Sequence, residues 1–189
     1  MLLLLAVILF SVIHLVPVWA PGVRAGLAAK IGDKPTKGLI AVGLLLSVYL
    51  ITLGWKSADV AVLYDPPIGL RHINTLFTAL AFILFVSSNL KTWFGTFIRN
   101  QQLTAVKVWA VGHLIANGDS RSLILFGGLL IWSVLMVIGI KKRDGVWNRQ
   151  QRQASPIASI LAVIVGVGIW YLVANSHAYL FGVPALPWK

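Results

Sequence analysis

The sequence predicts an all-α, polytopic membrane helical bundle of about six transmembrane helices. Three observations predict it. Of 189 residues, 58% are hydrophobic and only 11% charged, where a soluble domain carries about 25% charged residues. Apolar runs close to the ~20 residues that cross a bilayer recur along the chain. The segments between them collect the proline, glycine and basic residues. No internal repeat or low-complexity tract interrupts this pattern, so residues 1–189 read as one transmembrane domain.

Taken in order, the first run is Met1 to Trp19. It lacks a basic stretch before its core and a small-residue cleavage site after His14, so it reads as a retained helix rather than a signal peptide. Ala20 to Lys37 reads as a basic loop, with Pro21, Gly22 and Pro35 as breakers and Arg24, Lys30, Lys34 and Lys37 as charges. Gly38 to Trp55 is the second span, closed by Lys56. Asp59, Asp65, Pro66, Pro67 and Gly69 then forbid a helix over Ser57 to Leu70. Arg71 and His72 stand at the entrance to the third span, Ile73 to Leu90. Lys91 to Gln102, with Trp93, Phe94 and Phe97 among charges, reads as interfacial.

The fourth run, Leu103 to Ala116, is short and contains His113. Asn117-Gly118-Asp119 is a turn signal at a polar hairpin tip, and Asp119 or Ser120 can N-cap the fifth run, Leu123 to Ile140. Asp119 and Arg121 can also pair there. A basic loop, Lys141 to Gln153, leads to Pro156, which suits the first turn of a sixth span ending near Asn175. Ser176 to Lys189, with Pro184, Pro187 and Trp188, reads as a tail. Gly127-Gly128, Gly139 and the Gly166, Gly168 pair read as close-packing positions between helices.

The formal charge is +11, from 16 Lys+Arg against 5 Asp+Glu. In a soluble protein that excess would point to nucleic acid. Here the cations sit between apolar runs, where they set orientation, and the lipid bilayer rather than nucleic acid is the expected partner. Loops after the first, third and fifth spans hold eleven basic residues: Arg24, Lys30, Lys34, Lys37, Lys91, Arg99, Lys141, Lys142, Arg143, Arg149 and Arg152. The other side holds Lys56, Arg71, Arg121 and Lys189. This asymmetry predicts a multi-pass membrane protein with its basic loops in the cytoplasm and both termini outside, in the periplasm or its equivalent. Cysteine is absent, which excludes disulfides, thiolate metal sites and cysteine nucleophiles.

Ionisable groups inside a membrane are costly, so His14 and His113 are the first candidates for function. At 1.5 Å per residue His14 lies ~20 Å along the first helix, about 10 Å above the cytoplasmic face. His113, on a helix running the other way, lies about 15 Å above the same face. His72 and His177 fall near the outer rim. Two readings of the pair stay open. Each imidazole can be neutral and bonded to a helix carbonyl or to a Ser or Asn such as Ser11, Ser47 or Asn89. Alternatively, two imidazoles at one level suit the axial positions of a haem. An isolated metal ion fits less well, because no intramembrane Asp, Glu or Cys completes a tetrahedral set. Trp109, His113 and Asn117, spaced i, i+4, i+8, share a helix face, as a platform beside a cofactor or as ordinary packing. Lys107 can snorkel to the interface, or it or Arg24 can pair with an anionic group such as a haem propionate.

Val106-Lys107-Val108-Trp109-Ala110, then His113-Leu114 and Ala116-Asn117-Gly118-Asp119, resembles the signature of the NnrU family of membrane proteins. Ser122 to Phe126 and Trp132 extend the likeness. Ile13-His14-Leu15 with Arg24 is similar to that family's opening helix, and Pro66-Pro67 with Arg71-His72 to its middle segment. The resemblance covers roughly residues 5 to 140. It implies a link to denitrification, that is, to nitrite and nitric oxide metabolism. It also implies kinship with 15-cis-zeta-carotene isomerase, a membrane haem b enzyme in which loss of one ligand on iron reduction frees the metal to act on a polyene. On that likeness His14 and His113 match the two axial ligands, and a hydrophobic polyene or the subunits of a respiratory complex are the implied partners. Family members usually carry a His-Pro pair before the fourth helix; Arg99-Asn100-Gln101-Gln102 stands there in this chain.

Overall fold

The computed structural model describes residues 1–147 and 153–186. Arg149, Arg152, Pro187, Trp188 and Lys189 of the sequence reading lie outside the described residues. The described residues are helical, with one isolated antiparallel bridge between Val62 and Asp119 and no strand. Among the described residues the α-helices run in the order α1 (Leu2–Trp19), α2 (Pro21–Ile31), α3 (Asp33–Ser57), α4 (Gly69–Ser87), α5 (Phe94–Phe97), α6 (Gln101–Ala116), α7 (Ser120–Ser122), α8 (Gly128–Asp144) and α9 (Pro156–Phe181). A π-helical turn, Leu123–Gly127, joins α7 to α8 without a break. The chain divides into two compact units, Met1–Leu63 with Asp119–Gly145, and Tyr64–Gly118 with Val146–Lys189.

In the first unit α1 packs against α3 and α8. Gly54 lets the backbones of α3 and α1 meet: a Cβ there would lie 2.6 Å from the Leu3 main chain. Gly139 of α8 makes room for side chains of α1, since a Cβ there would stand 2.6 Å from Trp19 Nε1. The Trp19 indole N–H donates to Leu135 O at 3.1 Å. In the second unit α4 packs against α6 and α9. Its apolar centre is Ala81, Leu84 and Ala105, surrounded by Phe94, Ile98, Val108 and Trp109. A Cβ at Gly166 of α9 would lie 2.6 Å from Ile83 Cα of α4. At one end Ser87 bonds Thr92 at 2.5 Å and donates to Gln101, and the Trp93 N–H donates to Ser159 Oγ at 3.0 Å.

The most completely buried side chains are small hydroxyls, and many of the exposed ones are large and apolar. The largest fully buried side chains are Thr36, Thr92, Ser47, Ser87, Ser122 and Ser133, while Leu39, Val42, Leu45, Leu76, Ile131, Ile164 and Leu172 are exposed. Water would punish that arrangement, whereas lipid rewards it: helices associate through small residues, and hydroxyls bond their own turn. Ser47 Oγ donates to Leu44 O, Ser133 Oγ to Leu130 O and Thr36 Oγ1 to Gly32 O in that manner. Among the described residues five helical segments are long and apolar enough to cross a membrane: Leu2–Trp19, Asp33–Ser57, Gly69–Ser87, Ser120–Asp144 and Pro156–Phe181. The expected fourth span, α6, has 16 residues and is therefore about 24 Å long against a hydrocarbon core of ~30 Å.

Four sequence expectations change. Ala20 to Lys37 is not a loop. Pro21 opens α2 at its first position, and Pro35 sits in the first turn of α3, where a missing N–H costs nothing because no carbonyl awaits it. Gly32, at φ 92°, makes the break between the two helices. The tail begins later than Ser176, since α9 continues to Phe181 and ends on Gly182 in the left-handed region. Asn117 to Asp119 is extended chain rather than a tight turn. Gly118 is needed for proximity, because a Cβ there would collide with the Tyr64 carbonyl. Finally, Gly128, Gly139 and Gly166 are close-packing positions, but Gly127 meets only an ordinary contact and Gly168 faces open space.

Candidate functional site

His14 sits in the fourth turn of α1. Its Nδ1 lies 3.0 Å from Phe10 O, one turn earlier. A carbonyl can only accept, so the proton is on Nδ1 and Nε2 carries the lone pair. The ring lies 4.3 Å from the Phe10 ring and 5.0 Å, edge-on, from Trp132 of α8; Phe10 and Trp132 touch each other at 5.1 Å. Trp132 is buried and its indole N–H has no hydrogen-bond partner. The neighbouring Ser11 hydroxyl donates to Val7 O, so it is not the partner of His14.

His113 lies in the last turn of α6. Its Nδ1 lies 2.9 Å from Trp109 O, again one turn earlier, and its ring is 5.0 Å from the Trp109 indole. The same tautomer follows. The Asn117 amide donates to His113 O at 2.9 Å, so the expected face Trp109–His113–Asn117 is a bonded column in which each residue holds the one before it. Tyr64 fastens its end: the hydroxyl donates to Leu114 O and to Asn117 O, and the Tyr64 N–H donates to Gly118 O at 3.1 Å. Behind the column, Asn74 Oδ1 of α4 is buried without a hydrogen-bond partner and lies 2.7 Å from where a Gly112 Cβ would stand.

The remaining expected site residues are placed as follows. Arg24 projects from α2 and donates to Asp33 Oδ1 at 2.5 Å; Lys37 pairs with the same carboxylate at 2.7 Å. Lys107 is half-buried on α6, off the Trp109–His113–Asn117 face. His72 lies in the first turn of α4, and His177 in α9 packs on Phe181 with its Nδ1 2.7 Å from Val183 O. Asp119 is the N-cap: its carboxylate accepts from Ser122 N at 2.9 Å and from the Ser122 hydroxyl at 2.7 Å. Arg121 stands 3.6 Å from Asp119 Oδ1 and 4.5 Å over the Trp55 ring, so the expected pairing forms and gains an aromatic partner. Among the described residues no group of three or more His, Asp or Glu side chains is placed to hold a metal ion.

Sequence reading missed Phe10 and Tyr64, and named Trp132 only within the family resemblance, with no place at the site. Phe10 was legible, since Phe10–His14 repeats the four-residue spacing of Trp109–His113. Trp132 and Tyr64 arrive from distant parts of the chain, and no local signal marks them.

Apolar spans, a small polar interior and histidines bonded to their own helices define a multi-pass α-helical membrane protein. It belongs to the NnrU protein family, whose model matches residues 2–185, including the last helix that the motif resemblance left out. Neither the comparison with curated proteins nor that with solved structures found a match.

Proposed function

We propose that this chain binds haem b through His14 and His113 and serves a redox or cis–trans isomerase-like role, linked to nitrogen-oxide (denitrification) or carotenoid metabolism. One observation supports this best: both imidazoles donate Nδ1–H to a carbonyl one turn earlier, Phe10 O and Trp109 O, which leaves Nε2 as the lone-pair nitrogen on each. Such a bond fixes the ring orientation and raises the basicity of a ligating histidine. Bound haem would supply one-electron chemistry or, with an axial position open, a Lewis-acidic iron for a hydrophobic substrate. Phe10 and Trp132 beside His14, and Trp109 beside His113, would shield the ligating nitrogens from water. Of the two cations expected to meet a propionate, Arg24 is already held by Asp33 and Lys107 lies off the His113 face of α6, so the geometry favours neither.

The test is the absorption spectrum of the purified protein. A Soret band is expected in wild type and its loss or displacement in His14→Ala and in His113→Ala. A wild type without the band, or variants with an unchanged one, would sink the reading. The basic loops are proposed to face the cytoplasm of the bacterial inner membrane, with both termini periplasmic. A reporter enzyme active only in the periplasm should work when fused after Lys189 and fail when fused after Lys142.

One residue favours a second reading, a non-catalytic membrane factor for assembly or regulation of a nitrogen-oxide respiratory complex. Asn100, in the place of the resembled family's His-Pro pair, is the N-cap of α6 and gives its carbonyl to Thr104 N. It offers neither an acid–base group nor a good iron ligand. This reading predicts co-purifying respiratory subunits and no haem spectrum.

A further inference from the structure

We infer that the α2 end of the first unit is a binding surface for anionic phospholipid headgroups, with α2 lying in the plane of the membrane interface. The inference is independent of haem. Helix α2 has 11 residues, about 16 Å, and cannot cross a ~30 Å core. None of its residues is buried. Val23, Leu27 and Ile31 follow one another at i, i+4 and i+8 and form one apolar stripe, with Val23 64% and Ile31 46% exposed. At 100° per residue Lys30 falls on one margin of that stripe and Arg24 on the other. An apolar stripe edged by long cations suits an interfacial helix, because the side-chain stems follow the acyl boundary while the charges reach the headgroups.

The rest of this end supplies charge. α3 brings Lys34 and Lys37, and α8 brings Lys141, Lys142 and Arg143. α8 is fixed here by the Trp19 bond to Leu135 O and by Lys142, whose Nζ lies 4.9 Å over the Trp19 ring. The two carboxylates of this end are spoken for: Asp33 by Arg24 and Lys37, and Asp144 by Arg143 at 2.7 Å. Lys30, Lys34, Lys141 and Lys142 are exposed and have no carboxylate partner among the described residues. The headgroup layer suits them, since exposed apolar residues of the adjoining spans begin close by in the chain, with Trp19 of α1 and Leu39 of α3. Clustered lysines beside a membrane-spanning helix recognise anionic lipid, with about a fivefold gain in binding for each cation near the surface.

The experiment uses the full-length protein in nanodiscs of equimolar phosphatidylglycerol and phosphatidylcholine, with retained lipids counted by native mass spectrometry. Wild type should keep phosphatidylglycerol in preference, and Lys30→Gln/Lys34→Gln should lower that preference at least fivefold. Lys56→Gln/Arg71→Gln, which removes the same charge elsewhere, should leave it unchanged. An unaltered preference in the first variant, or an equal loss in the second, overturns the proposal. Helix placement is read separately. The chain has no cysteine, so Val23→Cys and Ala29→Cys each report one position, on the apolar stripe and on the opposite side of α2. In the same nanodiscs a membrane-impermeant maleimide should label Val23→Cys at least tenfold more slowly than Ala29→Cys. Equal rates would mean that α2 stands off the bilayer or binds a protein instead, and would overturn its assignment to the interface.

Discussion

The two units each hold one histidine by the same bond and support it by different means. His14 and His113 both give Nδ1–H to the carbonyl of an aromatic residue one turn back. In the first unit the outer support is tertiary: Trp132 of α8 closes over the His14 ring. In the second unit the ring packs on its own helix, and the helix end is tied by Asn117 and Tyr64. One imidazole thus has a ring of another helix against it, and the other packs on a ring of its own helix, whose end Tyr64 ties. Their sensitivities to substitution should differ accordingly.

The largest effect is expected from Trp132→Ala. Emptying a buried indole site costs about 3–5 kcal/mol, partly offset because the orphaned N–H leaves with it. Thermal unfolding in detergent should shift down strongly. Gly118→Ala comes next, at about 1–3 kcal/mol, because the new methyl must displace the Tyr64 carbonyl. Limited proteolysis of the loop around Tyr64 should then become faster, while Gly168→Ala, in open space, should be neutral or stabilise by up to about 1 kcal/mol. Asn117→Ala removes one bond to His113 O and should cost about 1 kcal/mol, again read from thermal unfolding. The smallest effect belongs to Trp132→Phe, which keeps most of the packing and deletes the unpartnered donor. Stability should be unchanged or higher, so a spectral change at constant stability would identify that N–H as a contact to a cofactor.

Much of the fold is legible because a bilayer imposes length and composition on every crossing segment. That constraint marked the runs from Met1, Gly38, Ile73, Leu123 and Pro156 and made Asp119 a helix start. It says little about α2, whose Ala- and Gly-rich residues neither cross nor become buried. It also misreads prolines: Pro21 and Pro35 break a helix only from its interior, and both occupy first turns. α6 is ambiguous for a physical reason, since sixteen residues with two Gln, a Lys and a His fall short of the core thickness. At the candidate site, spacing within one helix was readable, as with Trp109, His113 and Asn117. The enclosing side chains Trp132 and Tyr64 depend on which helices meet, and the small residues that decide this, such as Gly54, Gly112 and Gly166, look like any other glycine until the neighbour is known.

The π-helical turn at Leu123–Gly127 sets the angular phase of everything after it. A π turn accommodates one residue more than an α turn, so it offsets the downstream face by about 100° relative to a straight helix. The cap at Asp119 and the cation stack of Arg121 on Trp55 keep the beginning of this segment in one orientation, and Trp132 and Gly139 need another. The inserted residue reconciles the two requirements. Deleting any single residue from Leu123–Gly127 would let the helix run straight and carry Trp132 about a quarter-turn away from His14. In this chain the environment of one histidine is therefore written partly as an index, a count of residues between a cap and a tryptophan.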